Sequence, residues 1–457
     1  MKVTGSGEKI TLQLAEYLVD LKFADLSEEV ITAAKLALLD WFGSALRGRQ
    51  EEPARIINAL VTELGGSPQA TNLANIANKT TAINGALVNG TISHIIELDD
   101  VHKASIFHAA APVMPAVLAV AELVGATGIE AITAIVAGYE VGIRLGEAIT
   151  PSHYEIWHTT GTVGHFAAAA SAGVLLKLST EEMVHAIGTA GTQASGLWEF
   201  IEDGAMSKHL HPGKAAMGGV LAGLLAKKGF TAAKKIIEGK RGFVQATSQE
   251  VDWTKITEGL GKHYKIMENS YKIHSSCRHT HPALDVAVAL KREHGFTPES
   301  IKNIKAGVYQ VALDITENYH PQTIYQSKFS LPYCVALGIV KGKAGLGEFS
   351  ESNLWDKEIR NIMSKVELRV DQEIQGLYPK EWGTKLEVEL TDGRVITGVT
   401  HSPKGDPENP ASQEELVSKF KDLTKEMFAV TQIDSFVEHL LRLEELTGME
   451  EVLKWLK

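Results

Sequence analysis

From Ile10 to about Lys228, apolar residues recur at three- and four-residue intervals between short Gly, Ser or Pro breaks, and no two-residue alternation competes with them. The first half of the chain is therefore predicted to be helix after helix. Ser27 opens the run EEVITAAKLALLDWFGSAL: its hydroxyl suits a helix start, Glu28 and Glu29 suit the positive end of the dipole, and Gly48 is placed to close it. The stretches INGALVNGTISHII, GHFAAAASAGVLL and GKAAMGGVLAGLLA are crowded with Ala and Gly, which let helix backbones approach closely. They are predicted to be central helices of a bundle. Gly costs a helix about 0.5–1 kcal/mol relative to Ala, so its repetition points to tight packing.

After about Met267 the texture changes. Asn303 to Leu313 and Lys365 to Val370 alternate as strands do, and LEVELTDGRVITGVT reads as a hairpin turning at Asp392 and Gly393. Helices are predicted at Pro282 to His294 and Leu331 to Lys341, and helical periodicity returns from Gln413 to Leu456. The segment HSPKGDPENP, 401–410, is the most linker-like stretch. The fold class that follows is mainly α. Residues 1–266 form an all-helical domain, 267–402 a smaller α+β domain, and 403–457 helices that return to the first domain.

Composition narrows the function classes. With 44% hydrophobic and 22% charged residues, the 457-residue chain is built to bury a core and is not disordered. Its formal charge of -11 disfavours nucleic acid as a partner. The two cysteines, Cys277 and Cys334, supply neither a disulfide framework nor an iron–sulfur ligand set. The most apolar stretch, Ala109 to Ala126, is broken by Pro112, Pro115 and Glu122 and reads as a buried helix, not a membrane span. MKVTGSGEKI has no signal-peptide core, so a cytoplasmic location is expected.

Four polar clusters interrupt the apolar helices. ELDDVHKASIFHAAAP gathers Glu97, Asp99, Asp100, His102 and His108, imidazoles beside carboxylates, as acid–base chemistry needs. Asp and His are also metal ligands, but the spacing matches neither HExxH nor an EF-hand, and no metal is assigned. In EIWHTTGTVGHF, His158 precedes a helix start whose amides favour anions, whereas His165 inside the helix reads as a core histidine. GAMSKHLHPGKAAMGG sets Lys208, His209, His211 and Lys214 in a break before another small-residue helix. NSYKIHSSCRHTHPALDVA carries Lys272, His274, Cys277, Arg278, His279 and His281, cations suited to carboxylates. Together they suit a small polycarboxylate: an enolate formed beside a carboxylate needs a base, an acid and fixed cations where negative charge grows.

The segments NGTISHIIELDDVHKASIFHAAAP, WHTTGTVGHFAAAASA, SKHLHPGKAA and YKIHSSCRHTHPALD, in this order and spacing, resemble the MmgE/PrpD family, which includes 2-methylcitrate dehydratase, cis-aconitate decarboxylase and iminodisuccinate epimerase. The resemblance spans nearly the whole chain. It implies a large helical domain, a smaller α+β lid, a homodimer, and an active site between the domains that works without a cofactor. Its pocket residues map onto Asp99, Asp100, His102, His108, His158, Lys208 and Lys272. The decarboxylase members carry His five residues after the lid lysine, where this chain has Cys277, and the Tyr of their next strand aligns with Leu313. Methylcitrate dehydratases carry an Asn-Asp-Thr type segment where this chain has ELDDVHK.

The expected activity is a carbon–oxygen lyase of the hydratase/dehydratase type, acting on a small di- or tricarboxylate such as 2-methylcitrate, the substrate of propionate metabolism. An iminodisuccinate-type epimerase, a cis-aconitate-type decarboxylase and a non-catalytic carboxylate binder are the alternatives. His108 or His158 is expected to move the proton, with Lys272, Asp99 and His102 also catalytic. Asp100, Lys208, Lys214, Cys277, Arg278 and His281 are expected to hold substrate.

Overall fold

The Ser27 hydroxyl accepts the Val30 amide and starts a 21-residue helix, Glu28–Gly48, with Glu28 and Glu29 in its first turn. In the computed structural model, which describes residues 2–457, this is the second of nine long helices in the first half. They are α1 (Ile10–Asp20), α2 (Glu28–Gly48), α3 (Glu52–Leu64), α4 (Ala82–Ser93), α5 (Ala110–Val124), α6 (Gly128–Ile149), α7 (Thr159–Leu175), α8 (Thr180–Gln193) and α9 (Ser207–Lys227). The chain divides into two compact units. One takes residues 2–95, 99–269 and 412–457, the other 96–98 and 270–411.

In the first unit, α7 is the central helix, packed by α5, α6, α8 and α9, while α4 lies against α5 and α9. Nearly every residue of α7 is buried, as a helix apolar on all sides requires. Its alanines work jointly with glycines of α9: a Cβ added at Gly219 would sit 2.4 Å from the Ala168 Cβ and 2.6 Å from the Ala169 amide. Gly48 does not close α2 as expected. It is the last helical residue, Arg49 follows in helical conformation, and a Cβ at Gly48 would stand 2.0 Å from the Ile92 carbonyl, so close packing accounts for this glycine. The C-terminal helices α12 (Gln413–Thr424) and α13 (Val430–Leu441) pack on α2 in the same unit. Phe436 meets Phe42 and stacks on Phe420, and Lys419 pairs with the buried Asp40 at 2.6 Å.

The second unit holds a four-stranded sheet of β1 (Ile301–Val308), β2 (Val366–Val370), β3 (Thr384–Leu390) and β4 (Val395–Thr400), in the order β4-β3-β1-β2. Strand β1 runs parallel to β2 and antiparallel to β3, and β3–β4 is the expected hairpin. Helices α10 (His281–His294) and α11 (Leu331–Lys341) pack together, and α10 lies on β3 and β4. The fold is thus mainly α, with a small mixed unit.

Three local expectations are corrected. The β1 alternation stops at Val308; Leu313 lies on a short helix, Gln310–Thr316, whose buried Ala312 and Thr316 follow helical spacing. Lys208, His209, His211 and Lys214 are not in a break but on the first turns of α9, which runs on through Pro212 at the cost of one intrahelical hydrogen bond. HSPKGDPENP is no free linker: buried Asp406 pairs with Arg278, and the Lys404 amide donates to Asp285 at 2.8 Å. Among the described residues no helix is long and apolar enough to cross a membrane, and α5 carries Pro115 within it.

Gly219→Ala is expected to lower stability by about 1–3 kcal/mol through overpacking. Gly376→Ala, in the short helix Gln372–Leu377 where an added methyl meets nothing within 4 Å, should not lower it and should raise it by up to about 1 kcal/mol. Urea unfolding of both variants reads the difference.

Candidate functional site

The segment after α4 turns back on itself. The His102 amide donates to the Phe107 carbonyl at 2.9 Å and the Phe107 amide to the His102 carbonyl at 3.4 Å. This closes a loop in which Ile106 takes a left-handed φ of 48°, a conformation that costs a β-branched residue about 1–3 kcal/mol. The loop returns His108 to the carboxylates it follows in sequence. His108 Nδ1 lies 2.7 Å from the Asp100 carbonyl oxygen and 3.1 Å from Asp99 Oδ2. A carbonyl only accepts, so Nδ1 carries a proton, and whenever the ring is neutral its lone pair lies at Nε2.

Asp99 is wholly buried, and its Oδ2 also accepts from His94 Nδ1 at 2.6 Å. Burial opposes ionisation, but His94 and His108 together outweigh it and hold the carboxyl well below the usual range. His94 stacks on His158 with ring centroids 5.7 Å apart and meets His108 edge-on at 4.8 Å. Asp99 Oδ1 and His94 Nε2 are buried without a protein hydrogen-bond partner, a rare state for polar atoms that marks the cluster as a place for chemistry.

His158 is the residue before α7, fixed by its amide donating to the Gly196 carbonyl at 2.9 Å. Burial, then the cationic forms of His94 and His211, Lys208 and His108, push its imidazole well below 6.5, so it is neutral at neutral pH. Trp198 and Phe200 wall its ring. Lys208, buried on the first turn of α9, and Lys214, bonded to the Ser195 hydroxyl, share its helix neighbourhood; burial lowers the Lys214 ammonium.

Asp100 has a different role from its neighbour. Its carboxyl accepts from the Ala110 amide at 3.0 Å, capping the start of α5, and from the Tyr139 hydroxyl at 2.5 Å. Burial dominates and raises it to about 7. His102 turns to other partners: Nδ1 takes the Ser105 amide, and Nε2 faces Glu268 at 3.4 Å and Glu147 at 3.9 Å. Lys265 lies 2.9 Å from both of these carboxylates.

Within the second unit, Lys272 and Glu97 form a buried ion pair at 3.3 Å. Glu97 holds a left-handed φ of 61° to make it. Arg278 and His281, expected to hold substrate, are engaged internally: Arg278 grips Asp406 and donates to His281 Nδ1 at 2.9 Å, and His281 Nε2 donates to the Ser276 carbonyl. The Cys277 amide donates to the Lys328 carbonyl. His279 Nδ1 shares a hydrogen bond of 2.6 Å with the Tyr309 hydroxyl, and its ring lies flat on Trp382. Burial, with Arg278 and Lys272, pushes it down to about 3, so the ring is neutral at neutral pH.

The helical unit thus brings together His94, Asp99, His108, His158, Lys208 and His211. It leaves His102 in a separate cluster and Asp100 as scaffold. His94 was missed because it reads as an ordinary residue of the apolar run NGTISHII; its signal is the five-residue interval to Asp99 at a helix end. Ligand-type atoms of His94, Asp99 and His108 lie within 4.8 Å of one another, as do those of His102, Glu147 and Glu268, and either group could hold a divalent ion. In both groups hydrogen bonds or an ammonium already face the carboxylates.

Two family models and several curated proteins match the chain. The family model of the MmgE/PrpD N-terminal domain matches residues 12–256, and that of the C-terminal domain matches 274–443. The chain is 27% identical to cis-aconitate decarboxylase of Aspergillus terreus, over 98% of this chain and 96% of that protein. It is 26% identical to a cis-aconitate decarboxylase-like protein of Aspergillus oryzae, over 99% and 98%. It is 23% identical to human cis-aconitate decarboxylase, over 96% and 92%.

The two adjacent carboxyls give opposite pH signatures. Asp99, depressed when folded, contributes stability above about 4 that is lost as pH falls through its folded value. Asp100, raised to about 7, binds its proton more tightly when folded, so its contribution is complete below 3.8 and is lost as pH rises to about 7. Asp100→Asn, which keeps an acceptor for Ala110, should flatten the fall in stability between these two values. Denaturation midpoints measured across that window check it.

Proposed function

The chain belongs to the MmgE/PrpD family, and from that premise we propose that it is a cofactor-independent lyase of a small di- or tricarboxylate, moving a proton at a carbon next to a carboxylate. The observation that carries the reading is the buried cluster in which ionised Asp99 orients His94 and His108 beside a neutral His158. A neutral imidazole can take a proton from carbon, and an imidazole backed by a carboxylate can return one. His108 offers Nε2 because its Nδ1 faces the Asp100 carbonyl; Lys208 supplies fixed positive charge where a carboxylate or enolate carries its negative charge. Lys272 is assigned the same task in the second unit, its ammonium released from Glu97 when a substrate carboxylate takes that place.

Two lyase reactions share this proton step. Dehydration requires proton removal and a protonated leaving hydroxyl; decarboxylation requires protonation of the carbanion left by carbon dioxide. The names of the relatives favour decarboxylation, and the imidazole pair serves either.

Citrate, 2-methylcitrate, cis-aconitate and iminodisuccinate incubated in deuterium oxide and followed by NMR are expected to reveal one substrate that exchanges or loses a group. Loss of the carboxyl carbon reports decarboxylation, loss of hydroxyl reports dehydration, and exchange with inversion alone reports epimerisation. His158→Asn and Lys272→Met should each lower turnover by about 10²–10⁴ with the fold retained. Wild-type turnover in those variants would remove both residues from the mechanism. Activity is also expected to survive exhaustive chelation, and its loss, restored by added metal, would replace this reading with a metal-dependent one.

A further inference from the structure

The geometry points to His211 as the positioning residue and proton outlet of His158, an assignment that rests on the proposed proton-transfer role of His158. His211 lies on the second turn of α9, and its Nδ1 stands 3.0 Å from His158 Nδ1. Two neutral imidazoles joined through like nitrogens must hold complementary tautomers, since one nitrogen donates and the other accepts. If His158 is the donor, its Nε2 lone pair is free to take a proton, and His211 is protonated at Nε2. The ring centroids are 5.2 Å apart, and Phe200 packs edge-on against both rings.

The pair differs in exposure. His158 is 1% exposed, whereas His211 is only part-buried. A proton accepted by a sealed base must leave before the next turnover, and this hydrogen bond supplies a route. When His158 Nε2 gains a proton from carbon, its Nδ1 proton passes to His211 Nδ1 and the His211 Nε2 proton departs to solvent. One proton enters and one leaves, so neither ring keeps a charge, and both tautomers are reversed. The reverse sequence restores them: His158 gives its Nε2 proton to the leaving group or the substrate carbanion, takes the Nδ1 proton back from His211, and His211 regains a proton at Nε2 from solvent.

The groups facing the pair oppose a lasting imidazolium: Lys208 and Lys214 on α9, His94 at the end of α4 and His108 in the returning loop. Burial, followed by His94, Lys214 and Lys208, also depresses His211, to about 4. Transfer through the pair is therefore favoured over storage of the proton on it.

The test uses the full chain labelled with 15N-histidine, with His211→Phe and His211→Asn as variants. Phenylalanine keeps a ring against Phe200 but removes the acceptor; asparagine keeps a polar group where Nδ1 stood but cannot relay a proton. In wild type His158 is expected to be protonated at Nδ1. His211→Asn should preserve that tautomer, and His211→Phe should lose it. Turnover should fall by about 10²-fold in His211→Phe with KM little changed, and asparagine should recover part of kcat but not all. An unchanged His158 spectrum in His211→Phe, or kcat equal to wild type in both variants, overturns the assignment. The spectrum needs no substrate, so absence of turnover in wild type counts against the proposed lyase, while His211 is still decided by the tautomer.

Discussion

A carboxylate sealed from water stays ionised only if its neighbours replace the lost hydration, and Asp99 meets this condition through two imidazoles at 2.6 and 3.1 Å. Desolvation of such a group costs several kcal/mol, so the positions of both rings are constrained. His94 must stand at the end of α4, and His108 must return from a loop bent through a left-handed isoleucine. Removing either ring would leave buried charge uncompensated, which is why a strained loop persists here.

The same constraint links packing to chemistry. His158 sits at the start of α7 and His211 near the start of α9, so the gap between their rings depends on how closely those helices approach. That approach is set by glycine and alanine: Gly219 lies against Ala168 and Ala169, leaving no room for a Cβ. Small residues that read as mere packing in sequence thus fix a hydrogen bond between two functional rings. A one-carbon change at Gly219, eight residues from His211, acts on the site through the helix axis.

Much of this was legible where the signal is local. The Ser27 cap, the helix Leu331–Lys341 and the hairpin around Asp392 follow from neighbouring residues, and the structure places them as expected. Signals that depend on distant partners were not legible. Gly48 resembles a helix stop but answers to the Ile92 carbonyl, and Pro212 resembles a break but lies within α9. Arg278 reads as a ligand for substrate because its partner, Asp406, is 128 positions away in a loop rich in Pro and Gly. His94 was hidden for the opposite reason: an apolar run masks a polar residue whose partner is only five positions off.

Asp99 and Asp100 show how adjacent residues in one buried site come to opposite states. Both are fully buried, so desolvation pushes both toward the neutral acid. Asp99 has two imidazoles to favour its charge; Asp100 has a tyrosine hydroxyl and one amide, which are too little, and the charge on Asp99 raises it further. Below about pH 7 a single negative charge therefore faces the histidines. Were both ionised, the second charge would hold a proton on the imidazoles more tightly and leave less of the neutral form that can accept one from carbon. Asp100 instead contributes its carbonyl, which orients His108, and its carboxyl, which fixes the start of α5. The division gives the cluster one fixed anion and rings free to exchange protons, the combination that chemistry at a carbon beside a carboxylate requires.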